Sequence, residues 1–534
     1  MERSLNHTGK LKNLSEEISL RWLDQVRVSL DPQKDLCRIE CEASVLTDVC
    51  SWFFSKLGYS FASLVVEEDS AEWHLRYIFY GDMENRQIHI LYQIPKMEVK
   101  VPSISQFVHA ADWHEREAED LFGLVFEDHP RLGDFVLHEE WPEGVNPMRA
   151  DFDSLKPYVH REVNPEWLPV RILQARGAFM MPIGPIYSDF AESAHFLLET
   201  VGEDVIRTIP RLFYKYRGVE KIAEGRTVDQ VLLLAERFSG TSAFAHSLAF
   251  CQAVEEISGV EVPARSLVLR RLLAELERLR HHVCAIAGIC GSTALAVPTS
   301  QAGILEEEIL RLSCTLTGHR YLFGLNLPGG LSMDFRDETI KNLSATIQDL
   351  VKKLDELKEM LRFSSSFLDR LEEVGTISRE SAVSYGMVGP IARASGIARD
   401  LRKVLPYAGY EAADFTVPIE QDGDGYARLR VLFAEVVQSA RIIRQVALSL
   451  PPGPVISRLP TLTSGSALGW VEAPRGAAFQ WVRLGEDGRV VRYRLTPPSF
   501  TNWHGFHLAA EDFAFQDFPI IMATFGLSNA ESDR

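Results

Sequence analysis

Two stretches, AERFSGTSAFAHSLAFCQAVEEI (235–257) and DFPIIMATFGLSNAESDR (517–534), carry the reading of this chain. In the first, Ser239 and Ser242 stand ahead of an apolar run at helical spacing. Serine hydroxyls in that place accept orphan backbone N–H groups at a helix start, so both are expected as caps. His246 follows Ser242 by four residues, which puts the two on one helical face. A serine beside a histidine raises the question of nucleophilic hydrolysis. No third group to orient the imidazole is identifiable, which argues against it. The second stretch places Ser528 and Glu531 in a short polar turn behind an apolar run. A carboxylate buried there is costly unless paired or protonated.

With 534 residues, the chain has room for about three or four domains, each with its own core. A hydrophobic content of 46% and a charged content of 24% are those of an ordinary globular protein. No run approaches the roughly 18 apolar residues of a membrane helix, and no secretory leader pattern is read. The net charge of −18 argues against a nucleic-acid partner, which calls for a basic stripe. Seven scattered cysteines form no CxxC pair, so reduced thiols are expected and no iron–sulfur or other metal site in this chain. Cys37 and Cys41 lie nearest to one another, but one pair is half a site.

The expected fold class is α+β. Residues 15–150 read as a small α/β domain: a helical pattern at 50–58, strand-like alternation at 60–68, 74–81 and 87–95, and a charged helix at 110–126. Residues 151–180, with SLKPYVHREVNPEWLPV, read as a linker. A large domain, 181–534, follows. Its helical core spans 190–450, with long amphipathic runs at 265–290 and 339–373 that suit a bundle. EDG between alternating runs signals a hairpin within a β-meander at 455–503, and the chain returns to the core over 504–534.

Residues 115–131 carry ERExxDxxGxxFxxHPR, through Glu115, Arg116, Glu117, Asp120, Gly123, Phe126, His129, Pro130 and Arg131. This resembles the 30-kDa-type subunit of respiratory complex I and implies a docking module. Residues from about 180 onward resemble the 49-kDa-type subunit and, more closely, the large subunit of membrane-bound group 4 [NiFe] hydrogenases. The segments carrying it include MPIGPIYSDFAESAHF (181–196), YKYRGVEKIAEG (214–225), LLAELERLRHH (272–282) and GMVGPIARASGIARDLRKVLPYAGY (386–410). A 30-kDa-type module fused ahead of a 49-kDa-type module resembles the formate-hydrogenlyase and hydrogenase-4 large subunits.

Where that family writes ERxCGxCxxAHS and DPCxxCxDR, this chain has Ser239, Ser242, Ser528 and Glu531 at the cysteine positions. Nickel and iron call for soft thiolates, and a serine hydroxyl stays protonated near neutrality. The expectation is a cysteine-less member with no NiFe centre, whose former metal site is lined by these four residues with Tyr187, Glu192, His195, His246 and Arg475. Tyr187 stands where the hydrogenases carry the histidine of GPVH, in a loop that lines the quinone site in complex I. A tyrosine can still donate to a carbonyl oxygen. Glu192 and His195, three apart, suit a proton relay or are a surface loop pair. Glu277 and His281 are i, i+4 partners, ordinarily a solvated face, although the resemblance implies charges kept for proton coupling. Arg393, with Arg399, Asp400 and Arg402, is expected to frame the cavity. Arg475 is the expected ion-pair partner of Glu531.

The resemblance implies a peripheral-arm electron-transfer subunit on the cytoplasmic face of the cell membrane, in an NADH-dehydrogenase-like oxidoreductase linked to NAD and quinone. Its implied partners are an iron–sulfur small subunit holding a [4Fe–4S] cluster and antiporter-like membrane subunits, with quinone as a candidate acceptor. The rival reading is a catalytically silent scaffold of the same complex.

Overall fold

The computed structural model describes residues 2–32, 34–81, 86–162, 172, 176–187 and 192–534. The chain divides into two compact units: Met1–Val170 with Ser384–Gly386, and Arg171–Val383 with Met387–Arg534. Within the expected 151–180 linker, residues 163–171 and 173–175 lie outside the described residues.

The first unit is built on a five-stranded sheet. Its strands are β1 (Val26–Asp31), β2 (Leu36–Cys41), β3 (Ser60–Glu68), β4 (Glu72–Tyr80) and β5 (Gln87–Pro95), in the order β1-β2-β5-β4-β3. Within this sheet β2 and β5 pair in parallel, with Ile39 opposite Ile90. β1 and β2 give little sequence signal, because VRVSLD and LCRIEC are short and interleave charges with their apolar residues. The helix expected at 50–58 starts earlier, at Ala43, and runs to Ser51 before a π-turn at Trp52–Lys56.

The charged helix spans Asp112–Phe122 and stops at Gly123, whose φ of 76° is the left-handed geometry that glycine adopts without strain. Val125 and Phe126, expected to end the helix, belong instead to a strand, Val125–Glu127, that pairs with Lys100–Pro102. The helix is buried through its charges. Glu115 accepts from Ser103 Oγ at 2.6 Å and Ile104 N at 2.9 Å. One oxygen of Asp120 collects the backbone N–H groups of Phe135, Val136 and Leu137 at 2.7–2.9 Å. The motif thus pins the loop that follows it.

In the second unit, the strands Ala178–Ile183, His195–Val201, Asp204–Arg211 and Glu511–Ala514 form an antiparallel sheet. The expected helical core at 190–450 therefore begins with two strands. Beyond them stand the helices Ala243–Ser258, Ala264–Ser292, Ala296–Thr317, Asp337–Arg362 and Gly425–Ser449. The meander is three strands, Gly465–Ala473, Gly476–Leu484 and Val490–Thr496. Its expected tail at 498–503 is instead the first half of a helix, Pro498–Ala509. The first strand lies so close to helix Ala243–Ser258 that a Cβ on Gly469 would collide with the Ala249 carbonyl. Val231, Ala235, Phe250, Val254, Val482 and Tyr493 fill the space between helices and meander.

Helix Ala264–Ser292 runs through the middle of the unit with buried charges on several faces, where an apolar helix is the usual solution. Several of these charges meet a partner from another element. Arg270 pairs with Glu255 at 2.6 Å, Glu275 with Arg402 at 2.8 Å, and His282 with Glu435 at 2.7 Å. Arg278 donates to the carbonyls of Glu472 and Ala473. The solvated face expected for Glu277 and His281 is therefore not found: both are buried. Among the described residues, no helix is long and apolar enough to cross a membrane.

Candidate functional site

Helix Val228–Arg237 opens on a capping box between Thr227 and Gln230 and hands the chain to a 3-10 turn, Gly240–Ser242. Ser239 and Ser242 flank the glycine and threonine of this turn, and both are buried. Neither caps the next helix. The Glu277 carboxylate does so instead, accepting from Phe244 N at 2.8 Å and Ala245 N at 3.0 Å. A carboxylate is the stronger acceptor, and its charge suits a helix N-terminus. Burial pushes the Glu277 carboxyl up to about 7 against the pull of those two N–H groups. The two serine hydroxyls find no protein partner among the described residues.

Ser528 is a true cap. Its Oγ accepts from Glu531 N at 3.1 Å and starts the short helix Asn529–Ser532. It also donates to the Glu192 carboxylate, 3.0 Å from either oxygen. Ala530 N adds a third contact to Glu192 at 2.9 Å. Glu192 thus ties the segment ahead of strand His195–Val201 to the C-terminal motif.

Glu531 is fully buried and does not pair with Arg475, contrary to expectation. Its Oε1 lies 2.9 Å from His246 Nε2, and its Oε2 accepts from Ser499 Oγ and, at 3.3 Å, from Ser499 N. Arg475 sits in the two-residue turn between the first meander strands and donates to Gly526 O at 2.7 Å and Thr241 Oγ1 at 2.9 Å. It holds the 239–242 turn to the C-terminal segment and acts on Glu531 through its field. Burial raises the Glu531 carboxyl, but the His246 hydrogen bond and the Arg475 charge outweigh it and hold the group below its ordinary value.

The other expected members make contacts of their own. Tyr187 folds back so that its hydroxyl donates to Ala194 O at 3.0 Å, and burial raises it. His195 opens its strand with its ring 6.5 Å from that of Tyr214, edge to face. Burial and Arg211 lower it. Residues 188–191 of this loop lie outside the described set. Arg393 sits in a buried ionic network that reaches the central helix through Glu435 and His282. It donates to Glu435 at 2.6 Å, Glu472 at 2.9 Å and Arg399 O at 3.0 Å. Arg402 there is clasped by Asp400 and Glu275, and Glu275 also accepts from Tyr410 and Ser439.

Sequence reasoning misses Ser499, Thr241 and the capping role of Glu277, since each is an ordinary helix or turn residue by sequence. Glu435 carries a readable signal, a lone carboxylate within the apolar run VLFAEVV.

The donor set does not fit a nickel–iron centre. Ser528 and Glu531 are committed to internal hydrogen bonds, and the other two positions offer neutral hydroxyls. Among the described residues, no group of three or more His, Cys, Asp or Glu is placed to hold a metal ion. Burial pushes Cys37 and Cys41 up to about 12, away from the thiolate form that ligates metals.

Three family models match the chain. "Respiratory-chain NADH dehydrogenase, 30 Kd subunit" spans residues 39–158, "Nickel-dependent hydrogenase" spans 217–286, and "Respiratory-chain NADH dehydrogenase, 49 Kd subunit" spans 302–464. Hydrogenase-4 component G of Escherichia coli is 30% identical over 81% of this chain and 76% of its own length. A C/D-type NADH-quinone oxidoreductase subunit from Bdellovibrio bacteriovorus is 31% identical over 71% of this chain and 68% of that one. Formate hydrogenlyase subunit 5 of E. coli is 29% identical over 94% and 89%. Among solved structures, a chain of the membrane-bound sulfane sulfur reductase, an archaeal respiratory membrane complex, matches with a TM-score of 0.64 and 26% identity. That match covers 67% of this chain and 99% of the other. The chain belongs to the family of fused 30-kDa and 49-kDa-type subunits shared by complex I-like and hydrogenase-related complexes. At the four positions where the sequence resembles hydrogenase metal motifs, this chain carries Ser239, Ser242, Ser528 and Glu531, none of which offers a thiolate.

Proposed function

We propose that this chain is the peripheral-arm electron-transfer subunit of a membrane-associated, complex I-like oxidoreductase that works without a nickel–iron centre. The carrying observation is the replacement of four thiolates by Ser239, Ser242, Ser528 and Glu531, with Glu531 bonded to His246. In this reading an iron–sulfur small subunit holds the [4Fe–4S] cluster and delivers electrons next to the large helical unit. A quinone or another small acceptor takes them, and antiporter-like membrane subunits use the event. Tyr187 is a poor quinone donor as placed, since its hydroxyl proton is spent on Ala194 O. Quinone reduction by this route requires that bond to open. In this reading the assembly sits at the cytoplasmic face of the cell membrane.

A second reading, a silent scaffold, is favoured by the internal hydrogen bonds that engage Ser528, Glu531 and Glu192. One purification separates the two. The intact complex, isolated by a tag on this chain from native membranes, is expected to contain cluster iron and labile sulfide, to lack nickel, and to reduce a quinone analogue. A complex that assembles with its cluster but transfers no electrons to any acceptor makes the chain a scaffold. Stoichiometric nickel overturns both readings.

A further inference from the structure

Four buried polar atoms around the 239–242 turn have no protein partner among the described residues: Ser239 Oγ, Ser242 Oγ, His246 Nδ1 and His281 Nδ1. Native proteins rarely leave such groups unpaired, and a cluster of them points to a polar guest. They belong to one neighbourhood. Ser239 and Ser242 bracket Thr241, which receives Arg475, and the Arg475 charge acts on both His281 and Glu531. His246 lies one helical turn beyond Ser242.

The His246–Glu531 contact fixes the imidazole's roles. With Glu531 ionised, its oxygens can only accept, so Nε2 carries the hydrogen and Nδ1 of the neutral ring is left with a lone pair. If Nδ1 gains a proton, the imidazolium faces a carboxylate 2.9 Å away that offsets its charge. The same logic lets an acidic residue support a histidine base in hydrolytic enzymes. The other elements packed here present Glu277, Arg280 and His281 from the central helix, Arg475 from the meander turn, and neutral Gln480, which donates to His246 O. Glu277 is turned to the helix N-terminus and Arg280 to Thr241 O, which leaves Glu531 as the anion bonded to the ring. Phe238 covers one side of the imidazole at 4.5 Å between ring centres.

We propose that the His246–Glu531 pair is a proton-transfer station, and that Ser239 and Ser242 hold a water or another small hydroxylic guest against His246 Nδ1. A protonated guest gives its proton to Nδ1: the O–H bond breaks as the N–H bond forms, and the neutral guest remains on the serines. Reversal returns the proton, and no electron is involved. This goes beyond the electron-transfer reading and does not depend on it, because the step needs neither a donor cluster nor an acceptor.

The test uses the isolated full-length chain, with carbon-13 at Cε1 of its histidines and the His246 signal identified by its loss in His246→Gln. In Glu531→Gln the amide oxygen can still accept from Nε2 but cannot offset a charge. Without the carboxylate charge 2.9 Å away, His246 is expected to bind a proton at least about tenfold more weakly than in the wild type. Ser239→Ala with Ser242→Ala is expected to slow exchange of the Nδ1 proton with solvent while leaving proton affinity nearly unchanged. If Glu531→Gln fails to fold, Glu531→Asp gives the same reading with a smaller shift. A wild-type His246 that takes up no proton at all overturns the proposal. So does equal affinity in wild type and Glu531→Gln, or unchanged exchange in the double serine variant.

Discussion

His246 Nε2 and Glu531 Oε1 are 2.9 Å apart although 285 residues separate them in sequence. The contact joins the two stretches, 235–257 and 517–534, that resemble hydrogenase metal motifs. It makes the replacement of a thiolate by a carboxylate compatible with a buried site, because the negative charge keeps a hydrogen-bond partner.

Removing that charge is expected to hurt more than removing Arg475. Glu531→Ala strips the partner from a buried imidazole and from Ser499, and should cost about 3–5 kcal/mol. Glu531→Gln should cost roughly 1–3 kcal/mol, since an acceptor remains. Arg475→Ala loses two hydrogen bonds from a partly exposed side chain and should cost about 1–2 kcal/mol. Urea unfolding of the three variants gives the order. Equal losses for Glu531→Ala and Arg475→Ala would argue for a direct pair between them.

Stability should also depend on pH through Glu277. Its carboxyl is raised from 4.5 to about 7 in the fold. The folded chain therefore binds more protons than the unfolded chain between those values, and this contribution falls as pH rises through the window. The loss should reach roughly 3 kcal/mol. Glu277→Gln is expected to flatten the wild-type slope between about pH 4.5 and 7. Parallel pH–stability curves for the two proteins would show that Glu277 stays ionised.

The first unit should fold alone. Arg161 donates to Trp141 O at 2.7 Å and to Asp134 at 2.6 Å, so the stable fragment extends past residue 150. A 1–162 fragment is expected to unfold cooperatively, with a 1–150 fragment weaker by about 1 kcal/mol. Aggregation of the longer fragment would place the boundary elsewhere.

Elemental analysis of the purified chain should find no nickel, and the protein should neither take up nor evolve hydrogen. One nickel per chain would contradict the donor-set argument.

Much of the architecture is legible in local signals. The alternation at 60–68 and 87–95, the long amphipathic runs and the EDG turn depend on neighbours in sequence. The emptied ligand positions can be read from motif spacing alone. What escapes is long-range and electrostatic. Ser239 and Ser242 are ordinary cap residues, but Glu277, more than thirty positions away, takes that role. Arg475 is the natural partner for Glu531 by charge, but His246 reaches it and Arg475 is drawn to Gly526 O and Thr241 instead. Glu277 and His281 have the spacing of an exposed pair. Only the surrounding helices decide that their helix is central.

That central helix constrains how the sequence can drift. Glu275 answers to Arg402, Arg270 to Glu255 and His282 to Glu435, each across a different contact between elements. Losing either member alone strands a charge or a donor in the interior, whereas exchanging both for apolar residues of similar volume is close to neutral. Viable change along this helix therefore proceeds by compensated double replacements. Among related chains, these positions should covary in pairs even where the motif cysteines have been free to disappear.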